Sequence, residues 1–479
     1  MRESKLVLEV VGLWVRYPNS DWILRGVDLQ VNREERVLII GETGSGKTTL
    51  ARAITGLAKT IYECDIKGRI ILNGTEVNEG NYEALIRRVA LIGQNPYLYF
   101  VEPLVGDDLY SHALKVHSNE RLASDVLNKA MDATGIRGLT ERYFFEISGG
   151  EARRALVAKA LISDSMLFIF DEPLMWLDDQ GVKDFVRLLE TLRRLKRAAI
   201  IFEHRFIPLL KYVNKVYVLK GGRLVDVTDK ASLALEAPPC RLLYGFRSEK
   251  GVNCEDVLLE ARNLYFKYDI RGDYVLKGVS MQLRRGDAVL IYGLNGQGKT
   301  TLLKILAGYL KPHKGQVLRR ASTLYVPQNI ALFYTESTVE KEVMEMFKVR
   351  GMKSKVGLGL DVVRRLGVDP ESSPFNLSYG QMVKLAVGLA STLDIGVLLL
   401  DEPFSGLTYE DRLELLEQLA KSNTTVVVAT SNLDAIEVPY WTKLYRLETG
   451  KLTEMGTTGT TSLTYASKLY RELVGVEGA

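Results

Sequence analysis

The sequence predicts an α/β protein made of two related domains in tandem, and three observations carry that expectation. The first is an internal repeat: LRGVDLQVNREERVLIIGETGSGKTTLARAITGL, from residue 24, returns from residue 276 as LKGVSMQLRRGDAVLIYGLNGQGKTTLLKILAGY. The second is that each copy sets a glycine-rich stretch between an apolar, strand-like run (VLII, AVLIY) and a helical run. The third is a later apolar run in each copy, LFIFDEP and VLLLDEP, that stops at Asp-Glu-Pro as a buried strand would.

Each copy opens on alternating strand-like text, reaches the strand-loop-helix unit, passes a helical middle and returns to its Asp-Glu-Pro run. Equivalent positions lie 252 residues apart at Lys47 and Lys299, 234 at Gln94 and Gln328, and 230 at Ser148 and Ser378. The first copy is therefore longer mainly between its glycine-rich loop and its glutamine. The extra segment, CDIKGRIILNGTEV, reads as an antiparallel hairpin turning at Asn73-Gly74. Residues 232–256 hold Pro238-Pro239 and no clear period, which makes them a linker between domains spanning 4–231 and 257–479. The Thr- and Gly-rich stretch 456–462 reads as an exposed loop before a short terminal helix.

Composition bounds the rest. The chain has 479 residues, 46% apolar, enough for two separate cores. With 63 basic and 59 acidic residues the net charge is only +4, so nothing demands a nucleic-acid partner. Cys64, Cys240 and Cys254 have no paired short spacing, which argues against a disulfide framework or a zinc cluster and fits a reducing compartment. The first residues, MRESKLVLEV, do not read as a secretory signal, so a cytoplasmic protein is expected. The most apolar runs fall far short of the roughly 20 residues that cross a bilayer as a helix, so any membrane role is expected to be peripheral.

The glycine-rich stretches are phosphate loops. Gly41, Gly44, Ser45, Gly46, Lys47 and Thr48 in one copy, and Gly293, Asn295, Gly296, Gln297, Gly298, Lys299 and Thr300 in the other, fit G-x-x-x-x-G-K-[ST]; Thr49 and Thr301 follow directly. Such a loop turns backbone N–H groups and a helix N-terminus toward phosphate, its lysine meets the β and γ phosphates, and its threonine hydroxyl reaches Mg2+. Asp171-Glu172 and Asp401-Glu402 end buried strands at the same sheet edge. The first carboxylate of each pair suits Mg2+, and the second can polarise an attacking water as general base. A third element, Ser148-Gly149-Gly150-Glu151 and Ser378-Tyr379-Gly380-Gln381, opens a helical run 23 residues before each Asp-Glu-Pro aspartate. Its serine and helix-start amides can hold another anionic oxygen.

With these motifs in this order, nearly the whole chain resembles the ATP-binding-cassette (ABC) ATPases. The resemblance implies two P-loop nucleotide-binding domains in tandem, each with a RecA-like α/β core, an antiparallel β portion and a helical subdomain. It also implies ATP and Mg2+ as cofactors, and an intramolecular pseudo-dimer in which the signature of one domain closes over the P-loop of the other. It places Thr48, Gln94 and Asp171 near one metal, and Thr300, Gln328 and Asp401 near the second. Tyr17 and Tyr268 match the aromatic residue that stacks on adenine, although a plain core role also fits them. His204, at the end of AAIIFEHRF, matches the switch histidine; in the second copy Ser431 stands there. The family's aspartate after Asp-Glu-Pro is matched by Asp178 but replaced by Thr408.

The copies are thus unequal. One composite site would join Lys47, Asp171, Glu172 and His204 to a signature in which Tyr379 replaces glycine. The other would join Lys299, Asp401, Glu402 and Ser431 to an intact signature, and the first is expected to hydrolyse faster. The segments QNPYLYFVEPLVGDDL and PQNIALFYTESTVEKEV, with the RYP context of Tyr17, resemble the energy-coupling-factor branch, which imports cobalt and vitamins. That likeness implies a transmembrane coupling subunit and a substrate-binding membrane subunit on separate chains. Tyr97, Tyr99, Phe100, Leu332, Phe333 and Tyr334 would then line the groove for coupling helices, or else pack the helical subdomain. The tandem ATPase of a conventional sugar or peptide transporter, and a soluble factor acting on ribosomes or nucleic acid, stand as alternatives.

Overall fold

The computed structural model describes residues 6–41, 44–78, 80–81, 87–175, 177–203, 206–228, 256–269, 271–407, 409–422, 424–432 and 440–456. The chain divides into two compact units, 1–236 and 237–479. His204, Thr408, Cys240, nearly all of the expected linker and the tail from 457 lie outside the described residues.

In the first unit, alternation builds an antiparallel layer. Leu24–Asn32 buries every second side chain along much of its length, and Leu6–Arg16 pairs with it on one edge and with Asp65–Leu72 on the other. Asp65–Leu72 turns back through Asn73 (φ 49°) and Gly74 (φ 80°) to Thr75–Glu76, which is the expected Asn-Gly hairpin. The continuous apolar runs do the opposite and form a sheet with buried central strands, ordered 223–226, 215–220, 36–40, 198–203, 167–171, 89–92. All neighbours in it are parallel except the first pair. Arg36–Ile40 and Leu167–Asp171 flank Ala198–Glu203, so the phosphate loop and the acidic pair leave from the same edge. Helices Val105–Val116, Glu120–Thr134 and Gly149–Ile162 pack around Leu109, Ala130, Ala155 and Ile162 as a helical subdomain.

The second unit repeats this plan. Leu276–Arg284, Val257–Phe266 and Lys314–Arg319 make the antiparallel layer, and the mainly parallel sheet runs 323–326, 397–401, 425–430, 288–292, 443–448, 451–456. Helices Val339–Val349, Val356–Arg365 and Tyr379–Thr392 form its helical subdomain, whose core is continuous with Leu398, Leu400, Val426 and Val428 of the sheet.

Both antiparallel layers depend on one close backbone approach. Gly68 has φ +92°, and a Cβ there would sit 2.4 Å from the Gly12 carbonyl oxygen and 2.6 Å from that of Val11, beside an irregularity in strand register. Gly68→Ala is expected to destabilise the first unit by about 2 kcal/mol or more. Urea unfolding of the full chain, followed at the first unit's transition, measures it.

Candidate functional site

The phosphate loop of the first unit tightens onto its helix through Gly46, which has φ 103° and caps Lys47–Ile54; a Cβ there would press within 3.0 Å of Ile23 and Leu24. The buried Lys47 ammonium donates to the Gly41 carbonyl at 2.6 Å, across the mouth of the loop. Gly44 is also left-handed, and the buried Ser45 hydroxyl oxygen makes no hydrogen bond among the described residues. Thr48 donates to Asp171 Oδ2 at 3.0 Å, which joins helix start to strand end across 123 residues.

The second loop follows the same geometry with added ties. Gly298 (φ 97°) caps Lys299–Ala307, and Gly296 is left-handed. Asn295 is exposed in the turn, while Gln297 accepts from the Thr449 amide at 2.5 Å. Lys299 donates to Gly293 O at 2.8 Å and Leu294 O at 3.1 Å, and forms an ion pair with Glu402 Oε1 at 3.1 Å. Asp401 accepts from the Thr300 hydroxyl and, at 3.0 Å, from the Tyr325 phenol. Sequence reasoning missed Tyr325. The 234-residue offset pairs it with Leu91, and that polar-for-apolar exchange was the available signal.

Burial raises the pKa of both aspartates. Asp171 is pushed up to about 6, first by desolvation and then by the adjacent Glu172, against the pull of Thr48 and Lys47. Asp401 rises for the same leading reason despite its hydrogen bonds from Thr300 and Tyr325. Glu172 and Glu402 share an unexpected backbone: φ is 50° and 48°, left-handed for residues with a Cβ. Their amides hold it, donating to Phe202 O at 2.9 Å and Ala429 O at 2.8 Å on the neighbouring strand. The same strained backbone thus recurs at the equivalent position of both copies.

Beyond this the two acidic pairs differ. Glu402 is buried, and its Oε2 accepts from Thr430 Oγ1 at 3.1 Å and from the Ser431 amide at 3.0 Å. Ser431 thus meets Glu402 through its backbone. Thr430 is matched in the first unit by Glu203, fully buried, which accepts from the Leu174 amide at 3.0 Å. Asp178 caps the helix Asp179–Arg194 by accepting from the Gly181 amide at 2.8 Å.

Both signatures are reciprocal capping boxes. Ser148 Oγ accepts from the Glu151 amide at 3.3 Å while Glu151 accepts from the Ser148 amide at 2.8 Å; Ser378 and Gln381 repeat this at 3.2 and 3.0 Å. Gly149 and Gly150 thus begin one helix and Gly380 lies in the first turn of the other. Tyr379 does not project outward as a bulky interruption. Its ring packs against its own unit's core, and its phenol donates to Gln328 O at 3.2 Å. Gln94 is exposed and Gln328 half-buried.

Tyr17 and Tyr268 each reach a side chain on the P-loop helix of their own unit. Tyr17 accepts from Arg52 at 2.7 Å, and Arg52 lies 4.2 Å over the Tyr62 ring; the Tyr268 hydroxyl lies 2.9 Å from Thr301 Oγ1, with the residue 66% exposed. Arg52 and Tyr62 were not foreseen from sequence.

A model of the ABC transporter family matches residues 24–175 and 276–405, which contain both phosphate loops, both signatures and both acidic pairs. The chain belongs to the ABC transporter ATP-binding family. It is therefore an ATPase with two tandem ABC domains. A Sulfurisphaera tokodaii protein named as an ABC transporter ATP-binding protein is 30% identical over 472 residues, covering 93% of this chain and 97% of its own. A Clostridium perfringens protein of the same description is 26% identical, covering 90% and 87%. Among solved structures, the chain called RNase-L Inhibitor aligns with a TM-score of 0.61 at 20% identity, over 96% of this chain and 93% of that one. An archaeal ribosome recycling factor, aABCE1, aligns at 0.62 and 19%, over 96% and 98%. At these identities the likeness is one of fold.

ABC ATPases bind ATP, usually with Mg2+, and the residues fit that ion. Asp171 Oδ1 and Asp401 Oδ1 are buried without a hydrogen-bond partner among the described residues, while Thr48 donates to Asp171 Oδ2 and Tyr325 to Asp401 Oδ2. Oxygen donors left unsatisfied in this way suit a hard divalent cation. No helix among the described residues is long and apolar enough to cross a membrane.

Proposed function

We propose that this ABC ATPase powers an energy-coupling-factor-type importer of a vitamin or a transition metal, peripheral on the inner face of the cell membrane. It would work with a transmembrane coupling subunit and a substrate-binding membrane subunit on separate chains. Lys47 and Lys299 would hold the β and γ phosphates, and Thr48 with Asp171, and Thr300 with Asp401, would hold Mg2+ beside Gln94 and Gln328. Bound Mg2+ would neutralise developing phosphate charge, while Glu172 and Glu402 would orient and deprotonate the attacking water.

One observation carries the importer reading. After each glutamine the chain turns apolar side chains outward: Leu98 is 78%, Val101 74% and Leu332 74% exposed. Asp108 clamps the first of these loops by accepting from the Val101 and Glu102 amides, and Glu342 accepts likewise from Thr335 and Glu336. In the second unit a cavity of ≈ 850 Å³ extends from Leu332, Phe333 and Met346 to Gln328, Thr300 and Asp401. An apolar docking face and the metal carboxylate therefore share one space, through which nucleotide state can reach a partner helix. Not every aromatic residue expected there serves it. Tyr334 is buried, and Phe100 stacks on Phe144 with ring centroids 5.6 Å apart, so both pack the helical subdomain.

A second reading, a factor acting on ribosomes, draws on the fold likeness to aABCE1 across both units. Affinity purification from detergent-solubilised membranes separates the two. The importer reading expects two integral membrane proteins in stoichiometric amount, lost in a Leu98→Asp, Leu332→Asp double variant. Recovery with ribosomes and no membrane protein would defeat it.

A further inference from the structure

Among the differences between the two copies, the signatures exchange Gly149 for Tyr379 and the glutamine loops exchange Tyr97 for Ala331. Asn95 and Asn329 each begin a short 3-10 turn by accepting from the amide two residues on, at 3.1 and 3.3 Å, which puts Tyr97 and Ala331 at the same place. Tyr97 sends its phenol to Ile147 O, just before the signature serine, at 2.8 Å. In the second unit the phenol comes from the other side, since Tyr379, just after the signature serine, donates to Gln328 O at 3.2 Å. A Cβ built on Gly149 would lie 4.0 Å from the Tyr97 hydroxyl, so the position that Tyr379 fills in the second unit borders the Tyr97 phenol in the first.

We propose that Tyr97 and Tyr379 are one device in exchanged positions: in each cassette a single phenol ties the glutamine loop to the signature turn, and Tyr379 compensates for Ala331 instead of impairing its signature. The tie joins the turn that presents the signature serine to the loop beside the metal carboxylate, so it sets the signature's position relative to the phosphate loop's surroundings. Burial raises the pKa of both phenols and keeps them protonated as donors. A second phenol in the second unit, Tyr334 at the end of the 3-10 turn, reaches Met382 O on the signature helix, past the turn that presents Ser378. Tyr97 and Tyr379 are positioning residues, acting through the loop and the helix they join.

The test is a rescue experiment on the full chain, reading kcat and KM for ATP together with melting temperature. Tyr379→Phe keeps the ring and removes the donor. It is expected to lower kcat about 5-fold, the equivalent of one neutral hydrogen bond of about 1 kcal/mol, with KM changed less than about 2-fold and melting unmoved. Tyr379→Gly should lose at least as much, and adding Ala331→Tyr should bring kcat back to within about 2-fold of the parent. A Tyr379→Phe protein with the parent's kcat, or a folded double variant no faster than Tyr379→Gly, would overturn the proposal. A purely structural role would lower melting in Tyr379→Phe and leave kcat alone, which also overturns it.

Discussion

Glu172→Gln should lower steady-state ATP turnover by about 100-fold or more, and Glu402→Gln by less than about 3-fold. The expectation rests on what Glu402 must give up before it can take a proton from water. Glu402 is buried, with Oε2 accepting from Thr430 at 3.1 Å and the Ser431 amide at 3.0 Å, and with Oε1 ion-paired to Lys299 at 3.1 Å without a hydrogen bond among the described residues. Charge-assisted contacts of this kind contribute about 1.5–3 kcal/mol each, so releasing even one costs roughly 10-fold or more in rate. Glu172 is half-buried, and in the first unit the carboxylate Glu203, which cannot donate a hydrogen bond, stands at the position of Thr430. Phosphate release from the two purified variants decides the matter. If Glu402→Gln is the inactive protein, the pinned carboxylate is the working base and the order of the sites is reversed.

Asp171→Asn should separate activity from stability. Turnover is expected to fall about 100-fold or more, because the carboxylate that would hold Mg2+ is gone. Without Mg2+ and nucleotide, the first unit should become more stable at neutral pH. The folded-state pKa of Asp171 is about 6 against an ordinary 3.8, raised first by burial. Below about pH 4 the group is neutral in both the folded and the unfolded chain and its stabilising contribution is complete. As pH rises toward and through 6, the unfolded chain has already released its proton, and that contribution is lost. About 3 kcal/mol disappears over this window, and asparagine, which does not ionise, keeps it. At pH 7.5 the variant's first unit should therefore melt about 6–12 °C above the parent's, with the gap closing near pH 4. Calorimetry in chelator measures it. Should the variant melt lower than the parent at pH 7.5, the hydrogen bond from Thr48 and the Lys47 charge outweigh desolvation, and Asp171 is held by the fold rather than waiting for a cation.

What the sequence by itself determined is the part of this protein written in contiguous segments. The phosphate loops, the acidic strand ends and the signature turns are each local, with glycine, lysine or serine placed where backbone geometry requires it. Each glycine-rich loop and each signature serine was expected to open a helical run, and the structure finds both, adding that Gly46 and Gly298 are left-handed and that Ser148 and Ser378 cap their helices. The repeat located the copies and their unequal lengths, because self-similarity needs no knowledge of contacts.

Only the tertiary structure decided which side chains meet across the chain. Tyr334 and Leu332 lie in one apolar stretch of text, yet Tyr334, where the chain leaves the 3-10 turn, is buried and Leu332, within the turn, is exposed. Tyr325 meets Asp401 across 76 residues and Lys299 meets Glu402 across a longer span still. Tyr379 read as damage to a signature, and folding turned it inward to a backbone carbonyl of the glutamine loop. Such pairings are set by sheet order and helix packing, which bring distant segments within hydrogen-bond reach and leave no periodic mark on either one.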